Sequence, residues 1–559
     1  MSYIYLFKQY WKYSAGHHAK VIAILILYSI NGLIDISLPL IFAQILNVIQ
    51  TALSEDVLEG VTRWTMIWVL ATIVSSIIPR IARYMREGTA FRIKQAFINE
   101  HYNIVTNLPL AWHVNNHSGS VINRINVAAQ SLYTFALDQY IYMRFIIKLP
   151  GVIIALYYLN VSTSIFVMTA LMVVVSILVM RLFDRVMVKQ FRKLNEINHR
   201  ISATIFDFIS NIRTIITLKL GDKTRKDLND KVEEGYKTTM YVRAKLDNIK
   251  FSTLFILVEI PKIGIIFYYI YSQLKTQSTV LAGNVAALFQ YLTKIAEIFR
   301  DLIKESQNLM RYRTDMESVL PITQAIVDAK ECGVIGKKWS SIKVDDVSFS
   351  YDGKKEIVKG VGFDIKRGNK IAIIGESGSG KSTLMSLIRG LYEANSGKII
   401  IDEGKKNLEF NCLSKITTLM PQDPEIFENT ILYNITMGLH YPDALVKKVI
   451  EISCFDKVLV KLPNGLDTDI REKGVNLSGG ERQRLALARN LLAAYDSDII
   501  LMDEPTSSVD MKNEKQIYQN IFEFYNNKTI ISSVHKVYLL AMFDDVFAME
   551  KGVLKRHDS

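Results

Sequence analysis

The residues most clearly able to do chemistry form a glycine-rich loop at 375–383. Their sequence, GESGSGKST, fits the pattern G-x-x-x-x-G-K-[ST], between a strand-like apolar run at 370–374 and a helical run at 384–391. Such a loop turns backbone N–H groups toward a polyphosphate, while Lys381 reaches the β- and γ-phosphates and the Ser382 hydroxyl holds Mg²⁺. The pattern predicts that a nucleoside triphosphate is bound by Gly375, Glu376, Ser377, Gly378, Ser379, Gly380, Lys381, Ser382 and Thr383.

Further polar stretches follow the loop in the chain. They are LMPQD at 419–423, LSGGE at 477–481, IILMDE at 499–504, SVD at 508–510 and His535 after an apolar run at 529–534. An apolar strand that ends in Asp503 and Glu504 can hold Mg²⁺ through the first carboxylate and activate a water through the second. Ser478, Gly479 and Gly480 stand at a predicted helix N-terminus, which also favours phosphate. These stretches indicate hydrolysis of the triphosphate.

The elements that position these residues occupy the second part of a long chain. At 559 residues, the chain is too long for one core and predicts two or more domains. Long apolar runs and bulky aromatic residues fill the part up to about residue 300, whereas the remainder is typical of a soluble α/β domain. The sequence therefore predicts a membrane domain followed by a nucleotide-binding domain.

The first part contains six predicted membrane spans. No charged residue occurs between Leu149 and Met180, a stretch too long for one perpendicular helix and broken by polar residues at 160–164, so a helical hairpin is expected. A pair of buried helices in a soluble protein is the alternative. The predicted spans are 20–48, 62–86, 137–159, 162–184, 247–273 and 278–302.

The distribution of charge predicts the orientation of these spans. The connection at 50–62 has three acidic residues and no lysine or arginine, whereas the long segments at 80–136 and 185–246 are rich in basic residues. By the positive-inside rule, both termini, these segments and the nucleotide-binding domain are cytoplasmic. Short transverse elements are expected at 112–119 and 210–214, where the cytoplasmic helices turn around.

The formal net charge of +12 does not indicate nucleic acid. The basic residues lie between apolar runs, as expected beside anionic lipid, and no basic patch with interleaved aromatic residues occurs. The lipid bilayer is therefore the expected partner. Cys332, Cys412 and Cys454 are odd in number and lack metal-binding spacing, which favours reduced thiols in the cytosol.

Several polar residues fall inside the predicted spans. They are Asp35, Glu259, Lys262, Asn284, Gln290 and Lys294. A polar side chain that faces lipid is energetically costly. These residues are therefore expected either to line a substrate path or to form hydrogen bonds between helices, and Glu259 and Lys262 could neutralise one another. The sequence leaves both interpretations open.

The order of the motifs resembles that of the ATP-binding cassette (ABC) family over residues 340–555, because LSGG lies between a phosphate loop and an apolar strand ending in Asp-Glu. With six spans ahead of the cassette, the chain resembles an exporter-type half-transporter. The resemblance implies an α-helical transmembrane bundle with the type I exporter, or type IV ABC, fold, joined to an α/β P-loop NTPase domain. The expected limits are 1–303 for the membrane domain, 304–339 for a linker and 340–559 for the cassette. The segment at 468–474, with Glu472, is similar to an exporter-associated loop.

The resemblance also implies roles for individual residues. Glu504, His535 and Gln422 are the expected catalytic residues, and Ser382, Gln422 and Asp503 are the expected Mg²⁺ ligands. Tyr351 is expected to stack on adenine, and Glu481 and Asp510 are also expected to bind nucleotide. Ser478, Gly479 and Gly480 are expected at the ATP of a second subunit. Since each chain has one cassette, two chains are needed for two composite sites. Glu481 stands where glutamine is commoner in the family, and Ser508-Val509 stands where Ala-Leu is usual, with Asp510 retained.

The resulting expectation is an ATP-driven exporter that works by alternating access, with ATP and Mg²⁺ as cofactors. A homodimer is expected, and a heterodimer with a second chain is the alternative. The protein is expected to be multi-pass and integral to a bacterial inner membrane. An exporter-shaped importer of siderophore-like ligands and an ATP-gated channel or regulator are the competing functions. The sequence leaves the transported substrate open.

Overall fold

A computed structural model of the chain describes residues 2–51, 54–159, 162–275, 279–325, 339–402, 406–408, 410–422, 425–470 and 477–557. It divides into two compact units. One comprises Met1–Leu108 and Trp112–Val327, and the other comprises Pro109–Ala111 and Asp328–Ser559. Much of the expected linker, including Cys332, lies outside the described residues, and its first part belongs to a long helix that ends at Glu317. The domain limits given by the sequence stay a prediction.

Helices build the N-terminal part of the chain. They are α1 (Ser2–Tyr13), α2 (His18–Thr51), α3 (Ser54–Thr106), α4 (Leu110–Asn115), α5 (Ser118–Tyr158), α6 (Thr163–Ser210), α7 (Ile212–Thr217), α8 (Gly221–Gly235), α9 (Tyr241–Lys275), α10 (Ala282–Glu317) and α11 (Leu320–Gln324), with a π-helical turn at Tyr236–Met240. The long helices continue well past the predicted spans. The six-residue helices α4 and α7 occur where short elements were expected.

Among the described residues, five helices are long and apolar enough to cross a membrane: α2, α3, α5, α6 and α9. They contain the first five predicted spans, except that Leu159 and Ser162 lie just outside α5 and α6. The sixth predicted span, 278–302, lies largely in α10 but does not reach the same apolar character. Asn284, Gln290 and Lys294 all fall within it, so α10 depends on neighbouring helices to satisfy its polar groups.

Packing between helices buries both apolar and polar side chains of this unit. Leu156 of α5 and Leu288 of α10 belong to one apolar cluster, and the Tyr291 hydroxyl donates a 2.7 Å hydrogen bond to the Ile36 carbonyl of α2. This bond joins the N-terminal third of α10 to α2. The cluster therefore holds α2, α5 and α10 together.

The polar residues predicted inside the spans mostly have polar partners. Lys262 contacts Glu259 on the same helix, and Asn47 Nδ2 of α2 donates a 3.0 Å hydrogen bond to Asn284 Oδ1 of α10. Two lysine side chains share the Asp35 carboxylate. These contacts support bonding between helices for the polar groups that make them.

The C-terminal part of the chain alternates strands and helices. The elements are β1 (Ser341–Phe349), β2 (Val358–Lys366), β3 (Lys370–Ile374), α12 (Lys381–Ile388), β4 (Ser396–Ile401), β5 (Lys406–Leu408), β6 (Thr417–Met420), α13 (Ile431–Thr436), α14 (Asp443–Ile452), α15 (Asp456–Leu459), α16 (Gly479–Ala493), β7 (Ile499–Asp503), α17 (Met511–Phe524), β8 (Thr529–Ser533), β9 (Asp545–Glu550) and β10 (Val553–Arg556). This is the expected α/β domain.

The strands form two sheets. One has the order β2-β1-β4-β5, and the other has the order β10-β9-β3-β8-β7-β6. In the second sheet β3, β6, β7, β8 and β9 run parallel, with β3 beside β8 and β8 beside β7. The carboxyl ends of parallel strands meet at one edge, which is where such sheets bind ligands. The loops that follow β3, β7 and β8 therefore lie together.

Apolar layers cover both faces of the parallel sheet. Successive residues of β7 alternate between them, since Leu501 packs with the first sheet and α12, whereas Ile500 and Met502 pack with α14, α16 and α17. All five residues of β7 and of β8 are buried. A strand buried on both faces is rigid, and it fixes the backbone position of the polar residue at its end.

Gly397 provides a test of the packing between the two antiparallel strands β1 and β4. Its φ is +98°, and an added Cβ would lie 2.7 Å from both the Asp346 carbonyl oxygen and the Val347 Cα. We expect Gly397→Ala to lower the free energy of unfolding by roughly 1–3 kcal/mol, because the strained backbone and the clash act together. Thermal unfolding of the full chain measures the change.

Gly353→Ala is the matched control. Gly353 also has a positive φ, +70°, but no atom lies within 4 Å of its added Cβ. Equal melting temperatures for the two variants would contradict the role assigned to the close approach at Gly397.

Candidate nucleotide-hydrolysis site

The phosphate loop connects β3 to α12. Gly380 is the N-cap residue of α12, with φ at +111°, and an added Cβ would lie 2.9 Å from the Ile357 carbonyl oxygen. Only glycine combines that backbone conformation with that close approach. The loop therefore presents the N-terminus of α12, where backbone N–H groups favour an anion.

The phosphate loop contains two buried polar side chains, Lys381 and Ser379. Lys381 is only 5% exposed, and its ammonium donates to the carbonyls of Gly375 (2.8 Å) and Glu376 (3.1 Å), in the loop itself. The Ser379 hydroxyl is buried and has no hydrogen-bond partner among the described residues. A buried group of this kind is normally satisfied, so the loop fits a ligand with many acceptor oxygens. A triphosphate is such a ligand.

Three predicted catalytic residues meet at the edge of the sheet. Glu504 directly follows β7; its Oε2 accepts a 2.8 Å hydrogen bond from Gln422 Nε2, and its Oε1 contacts His535 Nε2. Glu504 has φ at +48°, an uncommon left-handed conformation for a residue with a side chain. This backbone turn directs the carboxylate toward Gln422, which follows β6, and His535, which follows β8. The arrangement can orient a water molecule and take its proton.

The predicted metal ligands offer three kinds of oxygen. Asp503 ends β7, and its carboxylate accepts a 2.8 Å hydrogen bond from the Ser533 hydroxyl. The Ser382 hydroxyl is exposed at the start of α12. Because Gln422 uses its N–H₂ group on Glu504, its carbonyl oxygen is the atom suited to a cation. Carboxylate, hydroxyl and amide oxygens are the ligands that Mg²⁺ accepts, so these residues fit the ion.

Tyr351 lies beside the phosphate loop. Its hydroxyl is 3.1 Å from Thr383 Oγ1, and its ring packs edge-on against Phe349 and Tyr392 with centroids 4.9 and 5.2 Å away. The side chain is 57% exposed. Stacking on adenine stays a prediction, supported by this exposed aromatic ring at the loop.

The LSGGE segment at 477–481, called the signature below, begins helix α16 with a reciprocal pair of hydrogen bonds. Glu481 Oε2 accepts from the Ser478 backbone N–H (2.8 Å), and the Ser478 hydroxyl accepts from the Glu481 N–H (3.4 Å). This is a capping box, and the backbone hydrogen bond lowers the pKa of Glu481. Glutamate in place of the commoner glutamine thus makes a charge-assisted bond at the helix start.

The two glycines of the signature differ in their surroundings. A Cβ on Gly480 would lie 2.7 Å from the Ser508 carbonyl oxygen, whereas no atom lies within 4 Å of a Cβ on Gly479. Asp510, two residues after Ser508, caps α17 through a 3.0 Å bond from the Asn513 N–H. Among the described residues, no hydrogen bond or ion pair joins Ser478, Gly479, Gly480 or Glu481 to the phosphate loop of the same chain.

Two further residues, Gln483 and Ser533, hold the site together, although their sequence patterns did not predict this role. Gln483 of α16 donates to the Glu504 carbonyl (3.3 Å) and to the Ser507 hydroxyl (3.0 Å), and its carbonyl oxygen accepts from the Ser508 N–H (2.8 Å). The Ser533 hydroxyl accepts a 2.8 Å bond from the Glu504 N–H as well as donating to Asp503. A polar residue that ends a buried strand was the available signal for Ser533. Gln483 has no such local signal, because its partners come from the tertiary fold.

Two residues named in the sequence analysis cannot be placed. Glu472 of the exporter-associated segment and Asp423 both lie outside the described residues. The segment's similarity to an exporter loop therefore stays a prediction.

Comparison with known proteins assigns both parts of the chain to one family. The model of the ABC transporter family matches residues 358–507, and the model of the ABC transporter transmembrane region matches residues 21–295. The chain is 27% identical over 475 residues to the lactococcin-G-processing and transport ATP-binding protein LagD of Lactococcus lactis subsp. lactis, with 83% of this chain and 66% of that protein covered. It thus spans just under two thirds of the length of that relative.

Two further comparisons cover more of the related proteins. An ATM1-type heavy metal exporter of Novosphingobium aromaticivorans is 26% identical over 472 residues, which cover 81% of this chain and 74% of that protein. The solved structure of a bacterial Atm1-family ABC exporter with ATP bound matches with a TM-score of 0.84 at 22% identity, over 96% of this chain and 94% of that one. The transmembrane region and the ATP-binding domain of the family are thus both present in one polypeptide, and the chain belongs to the ABC transporter family.

Proposed function

We propose that this protein is an ATP-driven exporter that moves its substrate across a membrane by alternating access. The single observation that carries the proposal is the contact of Glu504 with both His535 and Gln422 at the sheet edge that bears the phosphate loop, in a chain with helices suited to cross a membrane. Export, rather than uptake, is supported by the relative named as a heavy metal exporter. Uptake and ATP-gated conductance are the functions to be distinguished from it.

The chain's own residues account for hydrolysis. The N–H groups at the start of α12 and the Lys381 ammonium hold the β- and γ-phosphates. The Glu504 carboxylate accepts a proton from the attacking water, and His535 supports that water and the γ-phosphate. Ser382, Gln422 and Asp503 would hold Mg²⁺, and the ion would supply positive charge beside the phosphates.

The signature residues require a second chain in this proposal. They make no hydrogen bond to the phosphate loop of their own chain among the described residues, yet Gly479 and the N-terminus of α16 are open to an anion. A second copy that presents Ser478 to the first copy's triphosphate would complete both sites. We therefore propose a homodimer with two composite sites, in which ATP binding draws the cassettes together and hydrolysis releases them.

The proposed location is the inner membrane of a bacterium, with both termini and the cassette in the cytoplasm. The bacterial relatives support the assignment to a bacterial inner membrane. The basic residues of the long segments between spans support the cytoplasmic orientation of the termini and the cassette.

A cleft in the membrane unit suggests the class of cargo. It has a volume of about 30 Å³, enough for one small group, and it lies between α5 and α10 with Lys148, Lys294, Glu297, Asp301 and Glu305 in its lining. Lys148 contacts the Asp35 carboxylate of α2, and Lys294 Nζ lies 3.2 Å from the same carboxylate. Charges this close to the membrane core are costly and are normally kept for function. We propose that the cleft receives a charged group of the substrate.

The catalytic assignment is tested by Glu504→Gln. The amide keeps the shape of the side chain but cannot take a proton, so ATP should still bind while turnover falls by a factor of at least ~10². ATP hydrolysis and nucleotide binding by the purified protein in lipid measure both effects. Glu393→Gln, a change at an exposed residue of the same domain, is the control. Unchanged hydrolysis by Glu504→Gln would remove Glu504 from this role.

The composite site is tested by combining two inactive variants. Lys381→Ala removes the phosphate ligand of one chain, and Ser478→Arg blocks the signature of the other. A mixed dimer retains one intact site only if the signature acts on the partner's triphosphate. Co-expression should then restore ATP hydrolysis above the level of either variant alone. No restoration in a verified mixed dimer would contradict the composite arrangement.

The cargo class is tested by Lys294→Met. We expect basal ATP hydrolysis to persist, while half-maximal stimulation by anionic compounds requires at least ~10-fold more compound, which corresponds to about 1.4 kcal/mol of binding. Lys275→Met, at the end of α9, removes an exposed ammonium outside the cleft and is the matched control. A charged cargo would be contradicted if charged compounds failed to stimulate ATP hydrolysis by the wild type, while an uncharged lipid stimulated both the wild type and Lys294→Met. Transport into inside-out vesicles then establishes the direction.

A further inference from the structure

Glu514 of α17 gathers three hydrogen bonds on one buried carboxylate. The residue is 4% exposed; Oε1 accepts from Thr506 Oγ1 (2.7 Å), and Oε2 accepts from Lys536 Nζ (2.8 Å) and contacts the Tyr538 hydroxyl. A buried carboxylate is stable only with such partners. Its bonds reach two different segments of the domain.

Those two segments carry the groups that act on the triphosphate. Thr506 lies two residues after Glu504, and Lys536 directly follows His535. One carboxylate therefore ties the turn after the proposed base to the segment after its histidine partner. Among the described residues, no hydrogen bond or ion pair joins Thr506 or Lys536 to the Glu504 carboxylate, so Glu514 acts through the backbone of both segments.

The turn after Glu504 needs this support. Glu504 adopts a left-handed backbone conformation, which persists only where the surroundings enforce it. Gln483 of α16 binds Ser507 and Ser508, and Glu514 of α17 binds Thr506. Two helices thus hold successive residues of one turn from separate positions.

Helix α17 also begins at the turn that carries Asp510. Asp510 is the N-cap residue, and Glu514 lies one helical turn further on. Its backbone N–H bonds the Asp510 carbonyl at 2.9 Å. A displacement of the Asp510 turn is therefore passed to Glu514 by a rigid helical turn.

We propose that Glu514 is a positioning residue for ATP hydrolysis, which fixes the Glu504 turn relative to the His535 segment and couples both to the Asp510 turn at the start of α17. This inference rests on the proposed function, because it concerns the geometry of the same hydrolytic site. In the proposed dimer, the Asp510 turn lies beside the signature that contacts the partner's triphosphate. Glu514 would thereby link the occupation of one composite site to the geometry of the other.

Glu514→Gln tests the inference with little change in shape. The amide carbonyl can still accept from Thr506, but the N–H₂ group cannot accept from Lys536 or Tyr538. The bond from Lys536 is thus removed, whereas the Tyr538 hydroxyl can reverse and accept from the N–H₂ group, and the tie to the Glu504 turn remains. We expect kcat for ATP to fall by roughly 10- to 100-fold, as for a small misplacement of reacting groups, with KM for ATP changed by less than about 2-fold.

The control and a double variant separate positioning from general stability. Glu523→Gln, at an exposed residue of the same helix, should leave kcat unchanged. Lys536→Met should lower kcat to the same extent as Glu514→Gln. The double variant should lower kcat no further than either single variant, because both changes remove the same bond. Full additivity of the two losses, or an unchanged kcat in Glu514→Gln, would overturn the inference.

Amide hydrogen exchange gives a readout that does not depend on turnover. In Glu514→Gln, we expect faster exchange in the segment after His535 and in the turn after Glu504, and no change in Glu523→Gln. Unaltered exchange in both segments would overturn the coupling even if hydrolysis fell. If the wild-type protein did not hydrolyse ATP, the proposed function would be contradicted instead. The exchange experiment would still show whether Glu514 couples the segment after His535 to the turn after Glu504.

Discussion

The parallel pairing of β3, β8 and β7 is the constraint on which the site depends. These strands are buried on both faces, so their register cannot slip without moving apolar side chains out of the two cores. Their carboxyl ends consequently form one fixed edge. The phosphate loop, the Asp503-Glu504 pair and the segment of His535 all continue from that edge, which explains how residues far apart in sequence meet with hydrogen-bond precision.

The sequence was sufficient for features that depend on local pattern. The phosphate loop was recognisable because glycine, lysine and serine follow a fixed spacing between a strand and a helix, and β7 was recognisable as an apolar run that ends in two carboxylates. The first five spans were likewise visible as apolar runs. Span α10 was harder to assess, because Lys294 and its polar neighbours are satisfied by other helices rather than by a local pattern.

Contacts between distant segments could not be predicted. Lys148 lies inside the third predicted span and was not singled out, yet it shares the Asp35 carboxylate with Lys294. Gln483 and Glu514 are polar residues on amphipathic helices, where a position facing solvent was equally consistent with the pattern. Only the packing of α16 and α17 against the sheet shows that both side chains face the turn after Glu504.

The reciprocal bonds between Ser478 and Glu481 have a consequence for the proposed association of two cassettes. They order the first turn of α16 in the isolated chain, so this turn does not have to fold when a triphosphate arrives. Fixing an unstructured backbone would oppose association by about 1–2 kcal/mol per residue. In the proposed dimer, a signature that is already ordered would avoid that entropy loss. The rate at which it captures nucleotide would then depend on diffusion and orientation of the cassettes rather than on local refolding.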